Sequence, residues 1–293
     1  MNQAMPTIAL SYTTPFFGAD PDRLVTVARQ AEECGFEAMY VPEHVAVYPG
    51  AQIGGWQIPT DIPFPDPLDI LTFVAANTER LLLGTGVLLL PYHHPVTLAK
   101  RLATIDVLSR GRMRLLGIGV GSLPGEAAAV GVDYTTRGRR TDEAIDVMRA
   151  LWAPDADADG ATFHGEFFTL DHIHSYPKPL TEPGLPIHIG GSSEAAARRA
   201  GLRGDGWLPG GSLTEEGRTA LWELVKSTAE QAGRDPGAID YTRMGSLETT
   251  PEEAERLGTQ GVTRIVVGAP AGEPEEQCAQ LVEFAERFGL GKG

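Results

Sequence analysis

The stretch FEAMYVPEH closes a run of apolar residues on an acid and a histidine, Glu43 and His44. A histidine exchanges protons near neutral pH, and a carboxylate beside it can orient the ring or carry a proton itself. Polar residues also end strands for no chemical purpose, so Glu43 and His44 alone leave both readings open. A second stretch, PIHIGGSSEAAARR, passes through Gly190, Gly191, Ser192 and Ser193 into a helix. Main-chain N–H groups at a helix start, flanked by small side chains and hydroxyls, form an anion cradle; either serine could equally be an ordinary N-cap. A third and a fourth stretch, GTGVLLLP and GIGVGS, place glycines at alternate positions of apolar strands. Glycine weakens a strand, so its presence there marks either close packing or a face cleared for a flat ligand. His93 and His94 precede Pro95 and read as loop or cap residues. His164, His172 and His174 do not have the spacing of a ligand set, and no metal site is expected.

These residues need a frame that gathers them, and the chain supplies one in a regular alternation. TIALSY is β-rich, and Asp20-Pro21 then offers an N-cap and a first-turn proline for a helix that Gly35 ends. FEAMYVPEH is a second strand, followed by a helix opening at Asp66-Pro67. LLLGTGVLLLP is almost continuously apolar, as in a parallel strand buried on both faces. MRLLGIGVG, PIHIGG, GDGWLPG, IDYTRMGSLETT and TRIVVGAP follow, each leading into a helical pattern. The segment 161–180 interrupts the rhythm as an irregular or hairpin-like insertion between the fourth and fifth strands. Eight strands alternating with helices imply an α/β fold, a (β/α)8 TIM barrel, taken here as one domain over residues 1–293. A doubly wound sheet would show G-x-G-x-x-G at a first turn; the first strand has no such glycines, and in GIGVGS Ser122 takes the place of the third.

In such a barrel the active site lies at the C-terminal ends of the strands. There the sequence places Tyr12, Glu43, His44, the Gly86-Val87 pair, residues 119–122 and 190–193, Trp207, Glu248 and Gly268. Glu43, His44 and Glu248 are the strong acid–base groups among them, and no nucleophile–base pair appears. The loop 45–66, with Trp56, Pro63 and Phe64, is placed to roof the pocket.

Composition narrows the classes further. The 293 residues carry 24 basic and 39 acidic side chains, a net charge of −15, which argues against a general nucleic-acid or membrane-surface binder. The apolar run LLLGTGVLLL is too short to cross a bilayer, and the first residues lack the pattern of a secretory signal. Two isolated cysteines, Cys34 and Cys278, fit a reducing cytoplasm better than a disulfide scaffold. The segment APDADADG reads as a short acidic linker.

Taken in order, GFEAMYVPEH, LAKRLATIDVLSRGRMRLLGIGVG, RGRRTDEAIDVMRALW, HGEFFTL, PKPLTEPGLPIHIGGSS and GDGW resemble the luciferase-like monooxygenase superfamily along nearly the whole chain. The resemblance is greatest to the branch that uses the deazaflavin coenzyme F420. It implies an F420-dependent oxidoreductase that moves a hydride between the deazaflavin C5 and a small organic substrate. His44 would handle the accompanying proton, and Glu43 would orient His44 or bind the ring. Relatives often carry Asp-His where this chain has Glu43-His44. The resemblance also implies a non-proline cis peptide at Gly86-Val87, a cofactor loop at Val120, Gly121 and Ser122, and a phosphate loop at Gly190, Gly191, Ser192 and Ser193. Lys178 and Arg203 are the cations considered for the anionic tail of F420. The alternative is a two-component FMN-dependent monooxygenase using reduced flavin and O2; a third reading is a flavin-binding relative without turnover. A homodimer and a separate flavin or F420 reductase are the protein partners such enzymes have.

Overall fold

The computed structural model describes residues 5–13, 18–154 and 159–291. Half of the expected acidic linker, residues 155–158, lies outside them. Eight parallel strands close into a barrel: β1 (Thr7–Ser11), β2 (Ala38–Val41), β5 (Leu82–Leu89), β6 (Leu115–Gly119), β9 (Ile187–Gly190), β10 (Gly206–Leu208), β11 (Asp240–Gly245) and β12 (Arg264–Gly268). The last strand pairs with the first, Thr7 to Arg264 through Ser11 to Gly268, which closes the ring. Around it run α1 (Pro21–Cys34), α2 (Pro67–Asn77), α3 (Pro95–Leu108), the short α4 (Pro124–Ala129), α5 (Arg137–Trp152), α6 (Glu194–Arg203), α7 (Glu215–Gln231), α8 (Pro251–Thr259) and α9 (Pro274–Phe288). Two small antiparallel hairpins stand apart. One is β3 (Gln52–Ile53) with β4 (Trp56–Gln57), inside the roofing loop; the other is β7 (Ala161–His164) with β8 (Thr169–Ile173), which is the insertion.

The helix boundaries follow from local chemistry. Asp20 accepts the Arg23 N–H at 2.8 Å, Pro21 fills the first helical position, and Gly35 at φ 86° ends α1 in the left-handed conformation that favours glycine. Asp66 does the same at α2, accepting from Leu68 and Asp69. The strands separate two apolar cores because successive side chains point to opposite faces. Ile8, Leu10, Met39, Val41, Leu83, Leu116, Ile118, Ile187 and Ile189 face the helices. Ala9, Ala38, Tyr40, Leu115, Leu208 and Val266 fill the barrel interior, with Leu82 and Val87 packed against them. Each fully buried large aliphatic side chain contributes roughly 1.5–3 kcal/mol. The interior layer is thin and built partly from alanine, and that leaves room for Tyr40 to span it.

Candidate active site at the strand ends

Glu43 and His44 follow β2 as adjacent residues, and their side chains reach different partners. Glu43, only 4% exposed, accepts the Leu89 N–H at 2.6 Å and lies 2.9 Å from His93 Nε2, while its own N–H donates to the Val87 carbonyl at 3.2 Å. It ties the end of β2 to the end of β5 and does not orient His44. That role falls to Glu126, on α4. His44 Nδ1 stands 3.1 Å from Glu126 Oε2, and Oε1 of the same carboxylate accepts the N–H groups of Val45 at 2.7 Å and Ala46 at 3.3 Å. Glu126 is fully buried and His44 retains 14% of its side-chain exposure. A carboxylate that already accepts main-chain donors accepts from Nδ1 as well, so the proton sits on Nδ1 and Nε2 is left as the lone-pair acceptor. Eighty-two residues separate Glu126 from His44, and no local pattern pairs them. The one signal in the sequence was its place as the acid in the first turn after the glycine loop of β6.

The roof is present where the sequence expects it. Phe64 meets the His44 ring edge-on at a centroid distance of 4.9 Å. Behind it Ala51, Ile58 and Leu123 form a small separate core, joined by Tyr48 and Phe64. A Cβ on Gly125 would stand 2.5 Å from the Tyr48 ring, so glycine there admits the roof onto the first turn of α4, which carries Glu126. The same short helix thus holds the acid of the pair and the seat of the roof.

The Gly86-Val87 peptide is cis, as the resemblance implies, and the pairing of β5 with β6 shifts register between Thr85 and Leu88. The strand glycines prove to be packed. A Cβ on Gly119 or on Gly190 would come within 2.7 Å of the Val87 side chain, and one on Gly84 within 2.9 Å of the Tyr40 ring. Of the two readings left open for the glycines of β5 and β6, close packing holds for Gly84 and Gly119. Gly121 is different. It has φ 78°, and a Cβ there would meet the Tyr92 hydroxyl at 2.2 Å. That hydroxyl is buried without a hydrogen-bond partner, and its pKa is pushed up to about 12 by burial first and then by the Glu126 carboxylate. Arg137 stacks at 3.6 Å on Tyr134 and donates to the Gly121 carbonyl at 3.2 Å, and the Tyr134 hydroxyl donates to the Ser122 carbonyl at 3.2 Å. The loop of Val120, Gly121 and Ser122 is therefore pinned through its carbonyls.

At the end of β9, Gly191 takes φ 115° and its carbonyl accepts the Trp207 indole N–H at 3.1 Å. Ser193 is the N-cap of α6, accepting from the Ala196 N–H at 3.2 Å, and the Ser192 hydroxyl donates to the Gly210 carbonyl. The first turn of α6 has N–H groups with no acceptor in the helix, and Ser193 meets one of them. Gly210, Gly211 and Gly268 have nothing within 4 Å of a notional Cβ, which leaves this part of the rim open. An open glycine rim, a free helix start and an unpartnered hydroxyl fit a ligand with a flat ring and a phosphate. Lys178 and Arg203, considered above for the anionic tail, are committed elsewhere. Lys178 Nζ donates to the Leu151 carbonyl at 2.7 Å, and Arg203 pairs with Asp146 at 3.2 Å. Glu248, the remaining acid of the strand-end set, is exposed. Among the described residues no group of three or more His, Cys, Asp or Glu could hold a metal ion, and no helix is long and apolar enough to cross a membrane.

A cavity of about 920 Å³ lies at the other end of the barrel, where His188, Asp205, Asp240 and Arg264 line it. Its size does not make it the active site. Its charged groups already pair with one another, and His188, 2% exposed, is pushed down to about 4 by burial first.

Comparison with known proteins identifies the family. The family model described as luciferase-like monooxygenase matches residues 5–289. An uncharacterised protein of Mycobacterium tuberculosis is 32% identical over 278 residues, 89% of this chain and 93% of its own. The F420-dependent glucose-6-phosphate dehydrogenase of Kineococcus radiotolerans is 31% identical over 242 residues, 81% of this chain and 67% of its own. Among solved structures, the monooxygenase RslO1 from Streptomyces bottropensis superposes with a TM-score of 0.77 at 21% identity, covering 98% of this chain and 100% of that one. An F420-dependent secondary alcohol dehydrogenase in complex with an F420–acetone adduct gives 0.75 at 18% identity, over 98% and 99%. The closed eight-stranded barrel and a family match that spans it from β1 to the last helix lead to one assignment: the chain belongs to the luciferase-like monooxygenase family.

Proposed function

We propose that this protein is an F420-dependent oxidoreductase acting on a small organic substrate, with His44 as the group that exchanges the proton. The observation that carries this reading is the His44–Glu126 pair under Phe64. A histidine held in one tautomer, half-roofed by an aromatic ring and with Nε2 free of hydrogen bonds among the described residues, is built to take a proton from a bound hydroxyl. Relatives above 30% identity that use F420 favour the deazaflavin over FMN.

When bound, the deazaflavin supplies a hydride acceptor or donor at its C5. The residues of the chain supply the rest. Gly190, Gly191, Ser192 and Ser193 offer the phosphate a helix start, and Val120, Gly121, Ser122, Gly86 and Val87 form the rim against which a ring would rest. In the oxidising direction a substrate alcohol loses its carbinol hydrogen as hydride and its hydroxyl proton to His44 Nε2, leaving a ketone or aldehyde. Glu126 stabilises the imidazolium that results. Phe64 and the loop 45–66 exclude water from the transfer. Glu43 acts through the backbone, fixing the ends of β2 and β5.

Side-by-side fluorescence titration of the purified protein with F420 and with FMN tests the cofactor. Saturable binding of F420 in the micromolar range or tighter, with FMN at least tenfold weaker, is expected. Preference for FMN would replace this reading by that of a monooxygenase served by a separate flavin reductase. Binding of neither would remove the enzyme reading.

A further inference from the structure

On the outer wall of the barrel, away from both rims, β11 is covered incompletely. A groove of about 560 Å³ opens there, lined by Arg218 and Trp222 of α7, Tyr241 and Arg243 of β11, and Gln260 and Thr263 beyond α8. Its aromatic wall is rigid: Trp222 stacks on Tyr241 at 4.6 Å and lies parallel to Trp207 at 6.0 Å, at an interplanar angle of 3°.

The two arginines in this groove are unusual for a surface. Arg243 keeps only 11% of its side-chain exposure, and its Nη2 stands 3.3 Å from Glu215 Oε1. Its Nη1 is buried with no well-aligned acceptor among the described residues, the neutral Tyr241 hydroxyl being the polar group beside the guanidinium. Arg218 donates through Nη2 to the Leu213 carbonyl at 3.2 Å, while its Nε is also buried with no acceptor. Arginines that serve only to pack their stems against an aromatic wall keep their heads in water. Here the heads are withdrawn and incompletely met, a state that costs free energy for each unpaired donor. The neighbouring carboxylates do not close the account. Glu215 is half exposed and reaches Arg243 alone, and Glu223 is engaged by Lys226 at 2.7 Å. Burial first and the Arg243 charge next lower the pKa of Arg218. In a chain of net charge −15, two crowded cations that lack a full set of acceptors are not explained by long-range balance.

We propose that this groove is an anion site, in which Arg218 and Arg243 together take the phosphate or carboxylate group of a small molecule. The unmet N–H groups would turn toward the oxyanion, and charge-assisted bonds of this kind are the strong ones. The site is separate from the strand-end rim and does not depend on the cofactor reading.

The test is the side-chain Nε–H resonance of Arg218, assigned by its loss in Arg218→Lys, during titration with inorganic phosphate at constant ionic strength against chloride. Because it is read in the groove, phosphate held at residues 190–193 does not contribute. A saturable shift that Arg243→Gln abolishes is expected. Arg243→Lys keeps the charge and loses the fork, and is expected to raise the midpoint at least about threefold; it also serves if the glutamine variant does not fold. Acetate in place of phosphate is expected to give a saturable shift of its own. A drift that chloride reproduces, or a saturable shift unchanged in both Arg243 variants, would overturn the proposal.

Discussion

At the base of the barrel Arg264 holds Glu37 through two nitrogens, at 2.5 and 3.0 Å, and reaches Asp240 at 3.2 Å. Close by, Asp205 takes Arg149 at 2.9 Å, Arg234 at 3.5 Å and the Ile187 N–H at 2.9 Å. At the opposite rim, among the described residues, His44 has Glu126 on one nitrogen and no hydrogen bond on the other, and the Tyr92 hydroxyl has no partner. Both ends carry ionisable side chains. The difference lies in how far each group's hydrogen-bonding capacity is used. The carboxylates and arginines of the base are paired with one another, and the unmet Nδ1 of His188 there is sealed in, 2% exposed; at the rim the group with an unmet atom, His44, keeps 14% of its side-chain exposure and can meet a ligand.

The sharpest way to break this contrast is His44→Ala. At the rim, loss of the proton acceptor is expected to lower turnover by about 10²- to 10⁴-fold while leaving cofactor affinity and the unfolding transition nearly unchanged. Unchanged turnover in the reaction that F420 supports would take His44 out of the mechanism. Glu126→Gln sharpens the point, because a glutamine can donate to Nδ1 and place the remaining proton on Nε2. Turnover is expected to fall by more than about tenfold, with the pH profile of kcat displaced, since the two tautomers differ in which nitrogen can accept.

The mirror experiment is Arg264→Ala at the base. Removing it strands Glu37 and Asp240 beside a buried position, and a loss of about 3–5 kcal/mol in unfolding free energy by denaturant titration is expected. Cofactor affinity of the folded fraction should stay within about threefold. A variant that unfolds normally and binds cofactor poorly would mean that the two ends are not independent.

His188 gives a pH version of the same contrast. Its pKa lies near 4 in the folded protein, against about 6.5 for a free histidine, with burial the leading cause; Asp240, Arg264, Asp205 and Glu37 surround it. Between those values the unfolded chain binds a proton that the native one refuses. Its contribution is therefore fully present above about pH 6.5 and declines as pH falls toward 4, with a slope approaching about 1.4 kcal/mol per pH unit. His188→Gln should flatten the difference between stabilities measured at pH 7 and pH 5. An identical slope in the variant would assign the acid sensitivity to the carboxylates instead.

What the sequence made legible and what it hid divide along the same physical line. The strands of the barrel, the caps Asp20, Gly35 and Asp66, the insertion at 161–173 and the roofing loop could all be read, because each is specified by short-range pattern and periodicity. His44 at the strand end was legible for the same reason. Its true partner was not. Glu126 is remote in sequence, and Glu43, adjacent in sequence, is taken up by the Leu89 N–H and His93 instead. The glycines of β5, β6 and β9 were visible, but the side chains that occupy their space, Tyr40 of β2 and Val87 of β5, come from other strands. The paired state of Lys178 and Arg203 likewise depends on contacts that no local motif encodes.

The smallest expected effect is also the most discriminating for the rim. Tyr92→Phe deletes a hydroxyl that is buried, unpartnered and held off Gly121 by the absence of a Cβ. An unsatisfied buried polar group carries a desolvation cost and returns nothing, so its removal should leave the protein equally stable or more stable by up to about 1 kcal/mol in thermal or denaturant unfolding. If the leftover hydrogen-bonding capacity at this rim is there for a ligand, the same variant should bind cofactor or substrate more weakly, by a few-fold. Stability unchanged and affinity reduced is the signature of a group kept for a ligand. Stability reduced with affinity unchanged would mean that the Tyr92 hydroxyl belongs with the satisfied groups of the base, and the rim would then owe its chemistry to His44 and Glu126 alone.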